Sequence, residues 1–494
     1  LSNWPLYSSI DGAVTSWIWD EIAPDLINQG YEPFYKQTMR LYEPLIYMMT
    51  RGVRIDKDAL EEVKKETENQ IEELQDELNA VVGEPLNANS PKQCVAYFYG
   101  KLGLPPYKNK SGGLTVDDKA LARLARKGVK AAPLVQSIRA RRKILGTYLE
   151  VVPDSDGRLR SSFNPRGTKN GRLSSSKTIF GTGLNFQNLP TEFKHFIVPD
   201  PGHLFLEFDK RQAEWVVSAY ASGDPRMIQA IENGDDVHVT TAELITGVSK
   251  DLIVKDNKLI GGMTDRDEIL RLRRNHLPEI FEAARFLPGM FSCRQGGKKS
   301  NHALNYKEGY VRFALENEIP ETEARVIVNG YRNGYSHLPM WWERTEMDLR
   351  MNDRTLTNCF GQKRRFLDEW GHSMLGDAIA YVPQSTVVYV VNDGMINAYE
   401  DHQDFMYLID LLCQVHDSIL IQYPIKEFDK MLKMIQEIKR LMDPEMEYSG
   451  RRFHIATDLK ISAVNWADMR EINLDAANDD VADQIGDYIK EYAA

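Results

Sequence analysis

Apolar residues recur at three- and four-residue steps through 58–82, at Leu60, Val63, Thr67, Ile71, Leu74, Leu78 and Val81, with Glu and Lys between them. That spacing predicts an amphipathic helix, and Gly83 supplies its stop. A loop with Asn87, Asn89, Ser90 and Pro91 follows, then a second amphipathic stretch. The polar, flexible loop 108–113 and a third helical run ending near Arg141 complete an all-helical lobe. From Val151 the texture changes. Residues 204–208 form a short apolar strand, broken at Asp209 and followed by a helix-like run over 212–222. Residues 224–384 are mostly helical, interrupted at Gly261 and Gly262, and 411–423 reads as two strands joined at His416 and Asp417. The pattern is a helical lobe, then a sheet lobe that a long helical insertion divides. It contains no internal repeat and no low-complexity linker.

A chain of 494 residues, 42% hydrophobic and 27% charged, has room for two to four domains or one multi-lobed enzyme. No uninterrupted apolar run approaches the roughly 18 residues a membrane helix needs, so no membrane partner is expected. The chain starts at Leu1 with no initiator Met and no charged-then-apolar leader, which reads as a fragment or processed product without a secretory signal. Cys94, Cys293, Cys359 and Cys413 lie far apart, which suits reduced cytoplasmic thiols better than a zinc site or a disulfide framework. The net charge of −11 argues weakly against a nucleic-acid partner. Its uneven distribution limits that argument. Acidic residues crowd the tail after Trp466. Basic clusters lie inside, at Arg139/Arg141/Arg142/Lys143, Arg271/Arg273/Arg274, Arg294/Lys298/Lys299 and Lys363/Arg364/Arg365. Any one of these is most simply a solvated face; four together are more suggestive.

Two aspartates carry candidate chemistry. Singly, Asp209 after its strand and Asp417 in its turn read as cap or turn residues. As a pair at strand ends of one sheet, they are a donor set for two divalent cations about 4 Å apart, as phosphoryl-transfer sites require. Oxygen ligands of this kind suit Mg²⁺, which takes substrate phosphates as further ligands. Arg294, Lys298, His302 and Tyr306 follow at four-residue steps, on one broad helix face about 18 Å long. Two cations, an imidazole and a phenol there match the length of a nucleoside triphosphate, although an ordinary basic amphipathic helix has the same spacing. Gly296 and Gly297 within the run indicate a hinge or a close backbone approach.

Taken in order, these residues resemble DNA polymerase I-like enzymes (family A), in a compact phage or viral form. Asp209-x2-Gln212-x-Glu214 is similar to that family's motif A. Arg294-x3-Lys298-x3-His302-x3-Tyr306, with Asn301, is similar to motif B, and Gln414-Val-His416-Asp417 to motif C. The segment that tracks the primer–template minor groove is resembled by Thr168-x2-Gly171-Arg172 and by Asn185-x-Gln187-Asn188-x-Pro190. Asp236-Val-His238 resembles the family's D-x-H. Residues 51–56 and 87–93 resemble its thumb, and Lys460-x5-Trp466 its C-terminal strand. Tyr7-x3-Asp11 resembles the last motif of the preceding 3′–5′ exonuclease, whose other metal-binding motifs are not in this sequence.

The resemblance implies an α+β right-hand polymerase with an antiparallel palm sheet and helical thumb and fingers. Expected divisions are an exonuclease remnant over 1–29, palm entry over 30–51, thumb over 52–145, palm over 146–225, fingers over 226–384 and palm over 385–494. The implied activity is template-directed addition of dNTPs to a primer 3′-OH, without proofreading. Asp209 and Asp417 would hold two Mg²⁺ ions, with Mn²⁺ as a substitute. Arg294 and Lys298 would clamp the triphosphate, Lys298 also protonating the leaving group, and His238 would touch the phosphates. Gln212 and His302 complete the nucleotide site. Glu214 and Tyr306 would reject ribonucleotides. Arg172, Asn185, Gln187, Asn188, Gln384 and His416 would meet primer–template DNA. Implied partners are primer–template DNA, dNTPs and replisome proteins, in the cytoplasm (the host's, for a phage enzyme).

Three positions depart from the family pattern. Ser418 replaces the second carboxylate of motif C, His302 stands where the family has Phe or Tyr, and Lys307 stands where it has Gly. Two other classes compete. A single-subunit RNA polymerase has a similar palm, but Glu214 opposite Tyr306 argues against it. A catalytically silent DNA-binding replisome scaffold would not need the Asp209/Asp417 and Arg294/Lys298 sets.

Overall fold

The apolar runs around Asp209 and Asp417 build the centre of a five-stranded antiparallel sheet. Its strands are β1 (His203–Lys210), β2 (Asp410–Val415), β3 (Ser418–Pro424), β4 (Thr457–Ser462) and β5 (Arg470–Ile472), in the order β2-β3-β1-β4-β5. The computed structural model describes residues 4–109, 111–263, 265–283, 292–317 and 319–493. Residues 1–3 of the expected exonuclease remnant, Lys110 of the polar loop, and 264, 284–291 and 318 of the helical insertion lie outside them.

One expectation is corrected. The first strand does not break at Asp209, because β1 is central and has a hydrogen-bonding neighbour on each side. Asp209 lies opposite Ser418 of β3 and Asp458 of β4. Period-two alternation then sends Glu207 and Asp209 to one face and Leu206, Phe208 and Lys210 to the other. Lys210 has no exposed side chain. Its ammonium donates to Asp443 (2.8 Å), the carbonyls of Met442 and Ile455, and the Thr457 hydroxyl. A buried cation survives only with such a set of partners, and this one ties β1 to the chain entering β4.

The helical elements follow the apolar pattern closely. The helix α1 (Trp4–Asn28) contains Tyr7 and Asp11 and has no buried residue. The predicted 58–82 helix is α2 (Lys57–Val82). Asp56 accepts from the amides of Asp58 and Ala59 at its start, and Gly83, at φ 80°, closes it. Leu60, Thr67, Ile71 and Leu78 are buried, whereas Val82 rather than Val81 completes the stripe. A hydrophobic core separate from the main one gathers Ile71, Leu78, Phe98, Leu121, Val135 and Ile138. The insertion between β1 and β2 includes α3 (Ala213–Ser222), α4 (Val237–Thr246), α5 (Cys293–Leu304) and α6 (His372–Glu400). By length and composition α6 matches a membrane span, but 72% of its most apolar window is buried inside the protein, as in a core helix.

The basic clusters are only partly solvated faces. Arg273 is 2% exposed and meets Asp256 through two 2.8 Å bonds. Arg139 caps the carbonyls of Ala88 and Val116. The acidic tail keeps Asp479, Asp480, Asp483 and Asp487 in solvent while Val481, Ile485 and Tyr488 pack inward.

Candidate active site

The two aspartates meet where β1 ends and the β2–β3 hairpin turns. The Lys210 amide donates to the Asp417 carbonyl at 3.2 Å, fixing the two segments side by side. A non-glycine residue in the left-handed region lies close to each, His416 (φ 52°) immediately before Asp417 and Gln212 (φ 51°) three residues after Asp209. Such backbone costs on the order of 1 kcal/mol or more and is held by its surroundings. For the hairpin the bracing is visible. Gln187 accepts from the His416 amide (3.0 Å) and donates to the Gln414 carbonyl (2.7 Å), while the Gln414 amide donates to the His416 carbonyl. Asn185 in turn accepts from the Gln187 amide and the Ser175 hydroxyl. Asn188 meets Tyr148 through its backbone carbonyl.

Burial pushes the Asp209 carboxyl up to about 7; Glu207 adds to this, Lys460 opposes it, and Asp417 and Asp458 add further. Asp417 is also raised, again by burial first, with Arg172 opposing. Two desolvated, mutually repelling carboxylates fit a divalent cation, which would restore the charge balance that burial removes. Among the described residues no group of three or more His, Cys, Asp or Glu side chains could hold a metal ion alone. That leaves coordination positions for substrate oxygens, as Mg²⁺ or Mn²⁺ at phosphates prefers.

Opposite the carboxylates stands α5. Ser292 caps it, and a Cβ at Gly297 would fall 2.1 Å from the His238 carbonyl, so only glycine lets α5 lie against α4. This contact answers the sequence signal at Gly297 with a close approach. It places the His238 and His302 rings 6.2 Å apart. Asn301 bonds His238 Nδ1 (3.1 Å) and accepts from the Thr241 hydroxyl. Asp236 caps α4 and accepts from Arg294 Nε at 2.7 Å. Burial works to raise Asp236, but Arg294 and the cap amides prevail and hold it below its usual value. Burial takes His238 down to about 4 against Asp236, helped by Arg294, His302 and Lys298. His302 is lowered too, by burial and then Lys298, against Glu214.

The four-residue series does not stay on one helix. It ends at Leu304, and Tyr306 lies in the following turn, where Lys307 takes φ 65°, a conformation suited to glycine. From that turn the Tyr306 hydroxyl donates to Glu214, whose other oxygen accepts from Arg172. Arg172 also reaches Asp417 at 3.4 Å, and Gln384 reaches Glu214 at 3.5 Å while accepting from Asn170. One cavity of about 300 Å³ is lined by Asp209, Gln212, Glu214, His238, Lys298, His302, Tyr306 and Asp417. Arg172 and Gln384 join it through bonds to Glu214 and Asp417, and Arg294 is paired with Asp236 at the start of α4, whereas Asn185, Gln187, Asn188 and His416 lie on or behind the hairpin. Sequence reasoning missed Asn305, which also lines the cavity. It missed Glu207 as well, although its place two residues before Asp209 put it on the same strand face.

The family model for DNA polymerase family A matches residues 57–259 and 290–468. DNA polymerase I of Caldicellulosiruptor bescii is 27% identical over 467 residues, 91% of this chain and 49% of the relative. The thermostable DNA polymerase I of Thermus aquaticus is 25% identical over 425 residues, 82% of this chain and 45% of the relative. The chain thus spans about half the length of the curated relatives it matches. Among solved structures, the POL domain of Pol1 from M. smegmatis, in complex with DNA primer-template and dNTP, superposes with a TM-score of 0.70 at 22% identity. The match covers 87% of this chain and 70% of that one, and it establishes the shared α+β right-hand fold. By the extent of the family match, over both the sheet and the insertion that carry the cavity, this chain belongs to DNA polymerase family A.

Proposed function

We propose that the chain is a template-directed DNA polymerase that adds dNTPs to a primer 3′-OH. The observation that carries this reading is a single cavity with paired carboxylates on one wall and Lys298, His238 and Tyr306 on the other. Asp209 and Asp417 would hold two Mg²⁺ ions, or Mn²⁺ in their place. Bound there, the ions would supply activation of the 3′-OH and charge neutralisation of the triphosphate. Lys298 would contact the phosphates and give a proton to the departing pyrophosphate. Arg294 is held by Asp236 at the edge of the same helix face, and His238, neutral near pH 7, donates or accepts as the phosphates require. The Glu214–Tyr306 bond occupies the space a 2′-OH would need. Arg172, Gln384 and His416 face the primer end, and Gln187 and Asn185 hold the hairpin from which His416 reaches. In this reading the thumb spans about 52–145 and the fingers about 226–384, and the enzyme works on primer–template DNA in the cytoplasm with replisome proteins.

Primer extension with Mg²⁺ tests this directly. Wild type should extend with dNTPs and far less with rNTPs, whereas Asp209→Asn and Asp417→Asn should bind primer–template and not extend it. Near-normal extension by either variant removes the metal assignment, and equal use of rNTPs favours the RNA polymerase reading.

A further inference from the structure

We propose that Glu207 is a supporting carboxylate beside the metal-binding pair, one strand over from position 418, and that it strengthens divalent-ion binding at Asp209 without ligating the ion itself. The inference rests on the polymerase reading of the Asp209/Asp417 site. Its starting point is Ser418, which stands where the family's motif C carries a second carboxylate.

The register explains how one position substitutes for the other. Ser418 lies directly opposite Asp209, and Leu420 directly opposite Glu207. Directly opposed residues share a face, so Asp209, Glu207 and Ser418 project to the same side, with Glu207 diagonal to Ser418. A diagonal neighbour on a pleated sheet is within reach of a long side chain. The Glu207 side chain uses that reach. Its Oε1 accepts from the Ser418 hydroxyl at 3.4 Å and from the Trp466 indole at 3.1 Å. The short side chain at 418 thus leaves room for the long one at 207, and Trp466 fixes its direction from the far side. Lys460 stands opposite Glu207 on β4 and offsets part of the extra negative charge in the metal-free protein. A bland alternative is that Glu207 merely accepts the indole hydrogen bond. Glu207→Gln separates the two, because it keeps a carbonyl acceptor of the same length and removes the charge.

The experiment reads Mn²⁺ affinity by EPR on the full chain bound to a dideoxy-terminated primer–template, with the melting temperature measured alongside. Glu207→Gln should weaken Mn²⁺ binding about ten-fold, as loss of a supporting group does. Its melting temperature should stay within about 2 °C of wild type. Glu207→Ser should lose at least as much affinity, and the exchange Glu207→Ser with Ser418→Glu should return it to within about three-fold of wild type, a non-additivity expected of contacting positions. Wild-type affinity in Glu207→Gln, or an exchange variant no better than Glu207→Ser, would overturn the inference. Asp209→Asn is the control for the underlying reading. If it too binds Mn²⁺ like wild type, the active-site assignment fails. If it loses binding while Glu207→Gln does not, only the role of Glu207 fails.

Discussion

At the scale of single residues, the polymerase reading assigns the choice of sugar to His302 and Glu214. The Glu214 carboxylate is held between the Tyr306 hydroxyl and Arg172, so it is a rigid obstacle and not a mobile one. Glu214→Ala should raise rNTP relative to dNTP incorporation by about ten-fold or more, the discrimination a single lost steric contact supports. An unchanged ratio of kcat/KM values would remove Glu214 from this role. His302 is polar where the family has Phe or Tyr, and its imidazole can fill in for a missing 3′-OH. Tolerance of dideoxynucleotides should therefore exceed that of His302→Phe. Burial and Lys298 lower its pKa, so the imidazolium forms below the ordinary histidine range. Tolerance should therefore stay level from about pH 8.5 to 6.5 and grow only below that, toward about pH 5. The ddNTP/dNTP ratio of kcat/KM across that range, for wild type and His302→Phe, decides it; identical ratios at every pH would leave the ring with no polar role.

At the scale of elements, two backbone positions decide whether α5 can present its side chains. Gly297→Ala would drive a Cβ into the His238 carbonyl, where backbone meets backbone and neither side yields. A loss of at least about 3 kcal/mol, or failure to form the α4–α5 contact, is expected in denaturant unfolding. A wild-type midpoint would show that α5 packs differently. Lys307 is the opposite case. It holds φ 65° just beyond the helix, so Lys307→Gly should stabilise the turn by about 1 kcal/mol, read as a higher melting temperature with the cavity unchanged. The Gly297 effect was partly legible in the sequence, because a double glycine within a helical pattern signals close approach. The end of α5 was not. Four-residue spacing continues to Tyr306 on paper, and only the turn at 305–307 shows that the phenol arrives from outside the helix. Likewise the apolar run before Asp209 predicted a strand but stopped it two residues early, since a polar residue inside a central strand is satisfied by neighbours far away in the chain. Glu207 went unread for the same reason: its importance comes from Ser418 and Trp466, which only the fold brings beside it.

At the scale of the whole molecule, the cavity combines groups whose titrations oppose one another, and stability across pH should expose this. Asp209, raised to about 7 in the folded metal-free chain, has an ordinary value of about 3.9 when unfolded. Between those values the folded state binds more protons than the unfolded one, so the group's contribution falls as pH rises from about 4 to 7. Asp209→Asn removes that term. Its stability relative to wild type should climb over the same interval, by on the order of 2 kcal/mol, and the gain should vanish when Mg²⁺ saturates wild type. His238 works in the other direction. It is lowered to about 4 from about 6.5, so between these the unfolded state binds the extra proton and the contribution is lost as pH falls. His238→Asn, which keeps a partner for Asn301, should therefore gain relative to wild type as pH drops from about 6.5 to 4, the reverse of the aspartate variant. Chemical unfolding of the three proteins at pH 4, 5, 6 and 7, with and without Mg²⁺, measures both slopes. Parallel curves for wild type and Asp209→Asn in the absence of metal would mean that the carboxylate is not strained by burial. The cavity would then have no electrostatic deficit for a cation to relieve, and the strongest physical argument for the metal at β1 would be gone.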